Sequence, residues 1–81
     1  MNIKVLGPGC SNCTRLEKRA KEAVKELNIE ATIEKVADYG IMMKYGMLAS
    51  PGLVINDTLV SSGKVLSVKQ LIELIEKHQS L

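Results

Sequence analysis

Two cysteines, Cys10 and Cys13, stand three positions apart and are the only thiols of the chain. A bridge across so short an interval closes almost no loop, so it adds little stability through chain entropy. A secreted disulfide scaffold would carry four or more cysteines. If the two sulfurs pair, they pair for chemistry. A thiolate attacks a disulfide sulfur, and a second thiol then resolves the mixed disulfide. Zinc fits poorly, because it takes four ligands and the remaining candidate, His78, lies at the far end of the chain. His78 reads as a solvated residue near a helix C-terminus.

The elements around the pair place it. Residues 3–6 read as a short strand, broken by Gly7-Pro8-Gly9. Residues 11–27 read as an amphipathic helix with Leu16, Ala20, Ala23, Val24 and Leu27 on one face. Asn28 suits its stop. Cys10 therefore sits at a helix N-terminus, where unpaired N–H groups and the helix dipole favour a thiolate. Cys13 lies one turn further along on the same side. Cys10 is the expected attacker and Cys13 the expected resolving thiol. Residues 1–27 hold six bases against three acids, and no acid precedes Glu17.

Residues 31–36 form a second, β-branched strand, parallel to the first through the intervening helix. Asp38 caps a short helix over 39–45 that Gly46 ends. Ser50-Pro51-Gly52 leads into a hairpin, 53–55 and 58–60, turning at Asn56-Asp57 and ended by Gly63. Ser67 and Gln70 form a capping box, with Leu66 and Leu71 as its hydrophobic staple. The last helix spans about 68–78 with Val68, Leu71, Ile72 and Ile75 on its inner face. The order β-α-β-α-β-β-α implies an α/β fold: one four-stranded mixed sheet with helices on both faces.

Composition bounds the rest. Eighty-one residues make a single domain over 1–81, near the lower limit for one core. Phe and Trp are absent and Tyr occurs twice. The core must be aliphatic, with methionine filling gaps, so most of Met42, Met43, Met47 and Leu48 are expected inside. Almost no stacking platform is left for single-stranded nucleic acid, and a net charge of +2 is too balanced for a DNA-binding protein. No apolar run approaches a membrane span and the N-terminus does not read as a signal peptide, so a cytoplasmic location is expected.

The chain resembles the thioredoxin superfamily in its shortest form, the small thioredoxin-like or glutaredoxin-like redox-disulfide proteins of bacteria and archaea. The likeness rests on Cys10-Ser11-Asn12-Cys13 after the first strand, on Tyr45-Gly46-Met47-Leu48-Ala49-Ser50-Pro51, and on the hairpin from Leu53 to Gly63. It covers the whole chain. It implies a minimal thioredoxin fold and a thiol–disulfide oxidoreductase acting on protein disulfides. It also implies a cis-proline at Pro51 beside the cysteines, with Ser50 presenting its backbone to a substrate strand and Gly52 keeping that surface low. The implied partners are disulfide-bearing proteins and a thioredoxin-reductase-type electron donor. A monomer with no cofactor and no metal is expected.

The chain departs from the family archetype in three places. Ser11-Asn12 replaces Gly-Pro between the cysteines, and Gly9 replaces the preceding Trp. Lys4 stands in the strand where the archetype has a buried acid. The stretch from Ser61 to Ser67 has one glycine and no acid, which argues against glutathione as a substrate. Two other readings stay open. One is a soft-metal carrier binding copper or mercury through the same pair; such carriers end in a strand and place a Met where Pro8 stands. The other is a non-catalytic interaction module with Met42, Met43, Met47 and Leu48 as an adaptable apolar surface.

Overall fold

The computed structural model describes residues 1–9, 11–47 and 49–79. Its elements in chain order are β1 (Asn2–Leu6), α1 (Ser11–Leu27), β2 (Thr32–Val36), α2 (Tyr39–Lys44), β3 (Gly52–Ile55), β4 (Thr58–Ser62) and α3 (Val68–Gln79). The strands form one sheet in the order β2-β1-β3-β4. β1 runs parallel to β2 and antiparallel to β3, and β3 pairs antiparallel with β4. The result is a four-stranded mixed sheet with three helices, the minimal thioredoxin fold.

Alternation along β1 sends its side chains to two cores. Ile3 and Val5, with Leu53 and Ile55 of β3, pack against Leu16, Ala20 and Ala23 of α1 and against Leu66, Leu71 and Ile75. On the opposite face Leu6 and Val54 meet Met42 of α2. Each fully buried aliphatic side chain contributes roughly 1.5–3 kcal/mol. Of the residues expected mostly inside, the three described divide two to one. Met42 is buried and Met47 half-buried, but Met43 is 79% exposed. A helix of six residues has one short buried stripe, and Met42 fills it. Leu48 lies outside the described residues.

The element ends follow from local chemistry. After α1, Asn28 adopts φ 53°. Its N–H donates to the Lys25 carbonyl at 3.1 Å and the Ile29 N–H to the Val24 carbonyl at 3.4 Å, a Schellman closure. Gly46, at φ 71°, ends α2 the same way, with Met47 N–H donating to the Met42 carbonyl at 3.3 Å. The Asp38 carboxylate accepts from Ile41 N–H at 3.1 Å at the start of α2. At α3 the capping box is reciprocal. Gln70 N–H donates to Ser67 Oγ at 3.2 Å, and Ser67 N–H to Gln70 Oε1 at 2.9 Å.

The hairpin turn uses two left-handed residues, Asn56 at φ 48° and Asp57 at φ 66°, whose twist matches the flanking strands. Asn2 and Asn56 lock this turn to β1: Asn56 N–H donates to the Asn2 carbonyl at 2.8 Å and Asn2 N–H to Asn56 Oδ1 at 3.0 Å. Beyond the turn the pairing shifts register between Leu53 and Val54, so that β4 carries one unpaired residue, Val60.

Leu71→Ala removes a fully buried side chain from the larger core and is expected to lower stability by about 2–5 kcal/mol. Ser67→Ala removes one half of an exposed cap, for about 1 kcal/mol. Urea melts of the two variants should keep that order.

Candidate functional site

Three segments converge on Cys13. It lies in the first turn of α1, a turn without acidic residues, and is fully buried. Gly7 follows the last residue of β1, and its N–H donates to the Val36 carbonyl at 2.9 Å, which extends the β1–β2 pairing up to the site. A Cβ on Gly7 would collide with Cys13 Sγ, lie 3.3 Å from Cys13 Cβ and come 4.0 Å from the Pro51 Cα. The bare backbone of Gly7 therefore makes room for the sulfur. The third segment is the entry to β3. Pro51 is fully buried, and the Ser50–Pro51 peptide bond is cis. Cys10, the other sequence-derived thiol, lies outside the described residues.

The segment bearing Ser50 and Pro51 is tied to the end of β4. Ser62 Oγ accepts from Ala49 N–H at 3.2 Å and donates to the Ala49 carbonyl at 3.1 Å. Gly63 N–H donates to the Pro51 carbonyl at 2.8 Å. Gly63 has φ 76°, and a Cβ there would lie 2.8 Å from Ala49 Cβ. Glycine at 63 is thus required both by its backbone conformation and by the closeness of the two segments. Ser50 itself is exposed. A shallow groove of about 180 Å³ lies beside it, lined by Tyr39, Met42, Met43, Met47, Ala49 and Ser50. A larger hollow lined by Glu22, Lys25 and Glu26 is open space between charged side chains of α1, away from the first turn.

Gly52, expected to keep the surface beside Ser50 low, is buried, and a Cβ there would collide with Met47 Sδ. Its small size admits the methionine that closes the lesser core under the Ser50–Pro51 segment.

Lys4 points away from the thiol. Its ammonium donates to the Tyr45 hydroxyl at 3.4 Å and lies 3.7 Å from Asp57 Oδ1, at the hairpin-turn end of the sheet. Pro51 and Cys13 are at the other end. The Tyr45 hydrogen bond holds the Lys4 amine above its ordinary value of 10.5, aided by the negative potential of Tyr45, Asp57 and Glu34 and opposed by partial desolvation. The Lys4 cluster anchors α2 to the hairpin. Arg19 performs a similar task on the other face, where Nη1 donates to the carbonyls of Val65 at 3.4 Å and Leu66 at 3.2 Å. His78 is half-buried, with Nδ1 2.9 Å from the Leu74 carbonyl of its own helix. Among the described residues, no group of three or more His, Cys, Asp and Glu side chains is placed to hold a metal ion.

Sequence reasoning passed over two positions at this site. Gly7 reads as a strand breaker, and its approach to Cys13 comes only from the way α1 folds back on β1. Ser62 reads as a polar strand end. The one available signal was its place directly before Gly63, opposite the proline segment.

Comparison with known proteins shows the family. The family model described as "Thioredoxin domain" matches residues 1–76. A protein of Methanothermobacter thermautotrophicus named thioredoxin is 40% identical over 75 residues, spanning 93% of this chain and 97% of that protein. One of Methanocaldococcus jannaschii, also named thioredoxin, is 33% identical over 76 residues, spanning 94% of this chain and 87% of that one.

Two variants test the geometry. Gly7→Ala forces a methyl group into the space of the Cys13 sulfur, so a loss of about 1–3 kcal/mol is expected in urea melts, with faster alkylation of Cys13 in the reduced protein. The Lys4 contribution follows from its raised folded-state pKa. It is fully present below the unfolded value of about 10.4 and is lost as pH rises through the folded value. Stability measured from pH 8 to 11.5 should fall at the alkaline end, and Lys4→Met should flatten that part of the fall.

Proposed function

The chain belongs to the thioredoxin-domain family, and from this membership we propose that it is a thiol–disulfide oxidoreductase of protein disulfides, working through Cys10 and Cys13. Its general character is that of a thioredoxin-like redox protein. The observation that carries the finer reading is the burial of Cys13 in the first turn of α1, against Gly7, which also approaches Pro51. A buried thiol at that place is suited to resolving a bond made by a neighbouring cysteine, and ill-suited to meeting a bulky substrate first.

In the proposed cycle the Cys10 thiolate attacks one sulfur of the substrate disulfide. The substrate S–S bond breaks, one substrate thiolate leaves, and Cys10 is joined to the substrate. Cys13, as its thiolate, then attacks the Cys10 sulfur. The mixed disulfide breaks, the second substrate thiolate leaves, and a Cys10–Cys13 disulfide remains. Two electrons pass from the dithiol to the substrate, and the two thiol protons end on the substrate sulfurs. A thioredoxin-reductase-type donor returns the disulfide to the dithiol. Ser50 offers its backbone to the substrate strand, and Pro51 forms the floor beside the sulfurs. No helix among the described residues is long and apolar enough to cross a membrane.

Insulin reduction with dithiothreitol as electron donor tests the activity. Cys13→Ser should accumulate a mixed disulfide with substrate, and Cys10→Ser should not. Iodoacetamide should label Cys10 of the reduced protein first, and preferential labelling of Cys13 would overturn the assignment of roles. Urea melts of the dithiol and disulfide forms should differ only modestly, because the bridge closes so small a loop.

A further inference from the structure

We infer that Ser62 is a positioning residue for substrate docking: its hydroxyl fixes the backbone of Ala49, so that the exposed backbone of Ser50 is left for a substrate strand to meet. The inference rests on the reading of Ser50 as a substrate contact and goes beyond it, because Ser62 belongs to β4 and takes no part in the sulfur chemistry of the proposed cycle.

The geometry is specific. One hydroxyl satisfies both polar groups of a single peptide residue, accepting from Ala49 N–H at 3.2 Å and donating to the Ala49 carbonyl at 3.1 Å. The chain bends through Ala49, Ser50 and Pro51. With both polar groups of Ala49 held by Ser62 of β4, the bend is fixed on the side that precedes Ser50. Among the described residues, neither the N–H nor the carbonyl of Ser50 has an internal partner. The Gly63 N–H to Pro51 carbonyl bond, at 2.8 Å, fixes the other side of Ser50. The Ser50 edge is thus held at both flanks, while its own hydrogen-bonding groups stay available.

Main-chain pairing in this arrangement is made before any electron moves. Losing the Ser62 hydroxyl frees Ala49 to rotate and disperses the orientation of Ser50. The thiols are untouched, so the effect falls on capture of an extended polypeptide and not on sulfur chemistry. A small aromatic disulfide has no strand to pair and should not sense the change.

The test compares wild type, Ser62→Ala and Ser62→Thr in two reactions: reduction of insulin, and reduction of 5,5′-dithiobis(2-nitrobenzoate). Ser62→Ala should raise KM for insulin roughly five-fold, the effect of one lost hydrogen bond, and change kcat by less than about two-fold. Its rate with the small disulfide should stay within about two-fold of wild type, and Ser62→Thr should restore the insulin KM. Hydrogen exchange supplies a readout that needs no turnover: the Ala49 amide should lose protection in Ser62→Ala and regain it in Ser62→Thr. An unchanged insulin KM in Ser62→Ala, or equal losses with both disulfides, would overturn the positioning role while leaving the oxidoreductase reading intact. A wild-type protein that reduces neither disulfide would overturn that reading, and the docking role with it, whatever the exchange data show.

Discussion

The buried sulfur of Cys13 and the bare backbone of Gly7 occupy adjoining space that admits nothing larger, and the working end of the molecule is arranged around that fit. The end of β1, the start of α1 and the entry to β3 come from distant parts of the chain, yet Gly7 lies within reach of both Cys13 and Pro51. A close-packed interior transmits small displacements, because no slack exists to absorb them. A shift in any of the three segments would therefore be felt by the other two. This is a physical reason for surrounding the reactive end with short, heavily tied connections. Gly7 continues the parallel ladder, Gly63 is bonded to Pro51, and Arg19 holds the approach to α3.

The two faces of the sheet divide the labour. The larger core under α1 and α3 is almost wholly aliphatic and supplies most of the apolar burial. The lesser core under α2 is small and built around one methionine, with Met47 fitted over Gly52. On that side, polar ties fix how the elements lie against one another. Lys4 reaches Tyr45 and Asp57, the Tyr45 hydroxyl donates to Asp57 Oδ1 at 3.4 Å, and Asn2 and Asn56 bond reciprocally. Exposed ion pairs add little individually, so their role here is to orient more than to stabilise.

How far the sequence could be read depended on the range of the interactions involved. Elements governed by neighbouring residues were legible. Leu16, Ala20 and Ala23 share a helical period, Ser67 and Gln70 form a box within one turn, and Asn56-Asp57 supplies a two-residue turn. The order of elements, and with it the fold, followed from these. The cysteine spacing also pointed to redox chemistry without any help from tertiary structure. What stayed hidden depends on contact through space. Gly7 has the composition of a breaker, and its steric role exists only because α1 returns over β1. The register shift that leaves Val60 unpaired leaves no mark on the alternation of so short a strand. Met42 and Met43 are chemically identical neighbours, and only the rotation of α2 decides which is inside. Ser62 looks like any polar residue at a strand end until Ala49 is brought against it.

The position of β1 has a consequence for how the molecule is made. Of these four strands, the first to leave the ribosome is an interior strand of the sheet, flanked by β2 on one side and β3 on the other. Its partner β2 follows after a single helix, but β3 does not begin until Gly52. During synthesis, the βαβ unit of β1, α1 and β2 therefore emerges with one edge of β1 unsatisfied and with Leu6, on the face away from α1, uncovered. An open edge of that kind is a template for pairing with other chains. The nascent chain is most vulnerable to association in the interval between the end of β2 and the arrival of β3, and the antiparallel hairpin closes that interval.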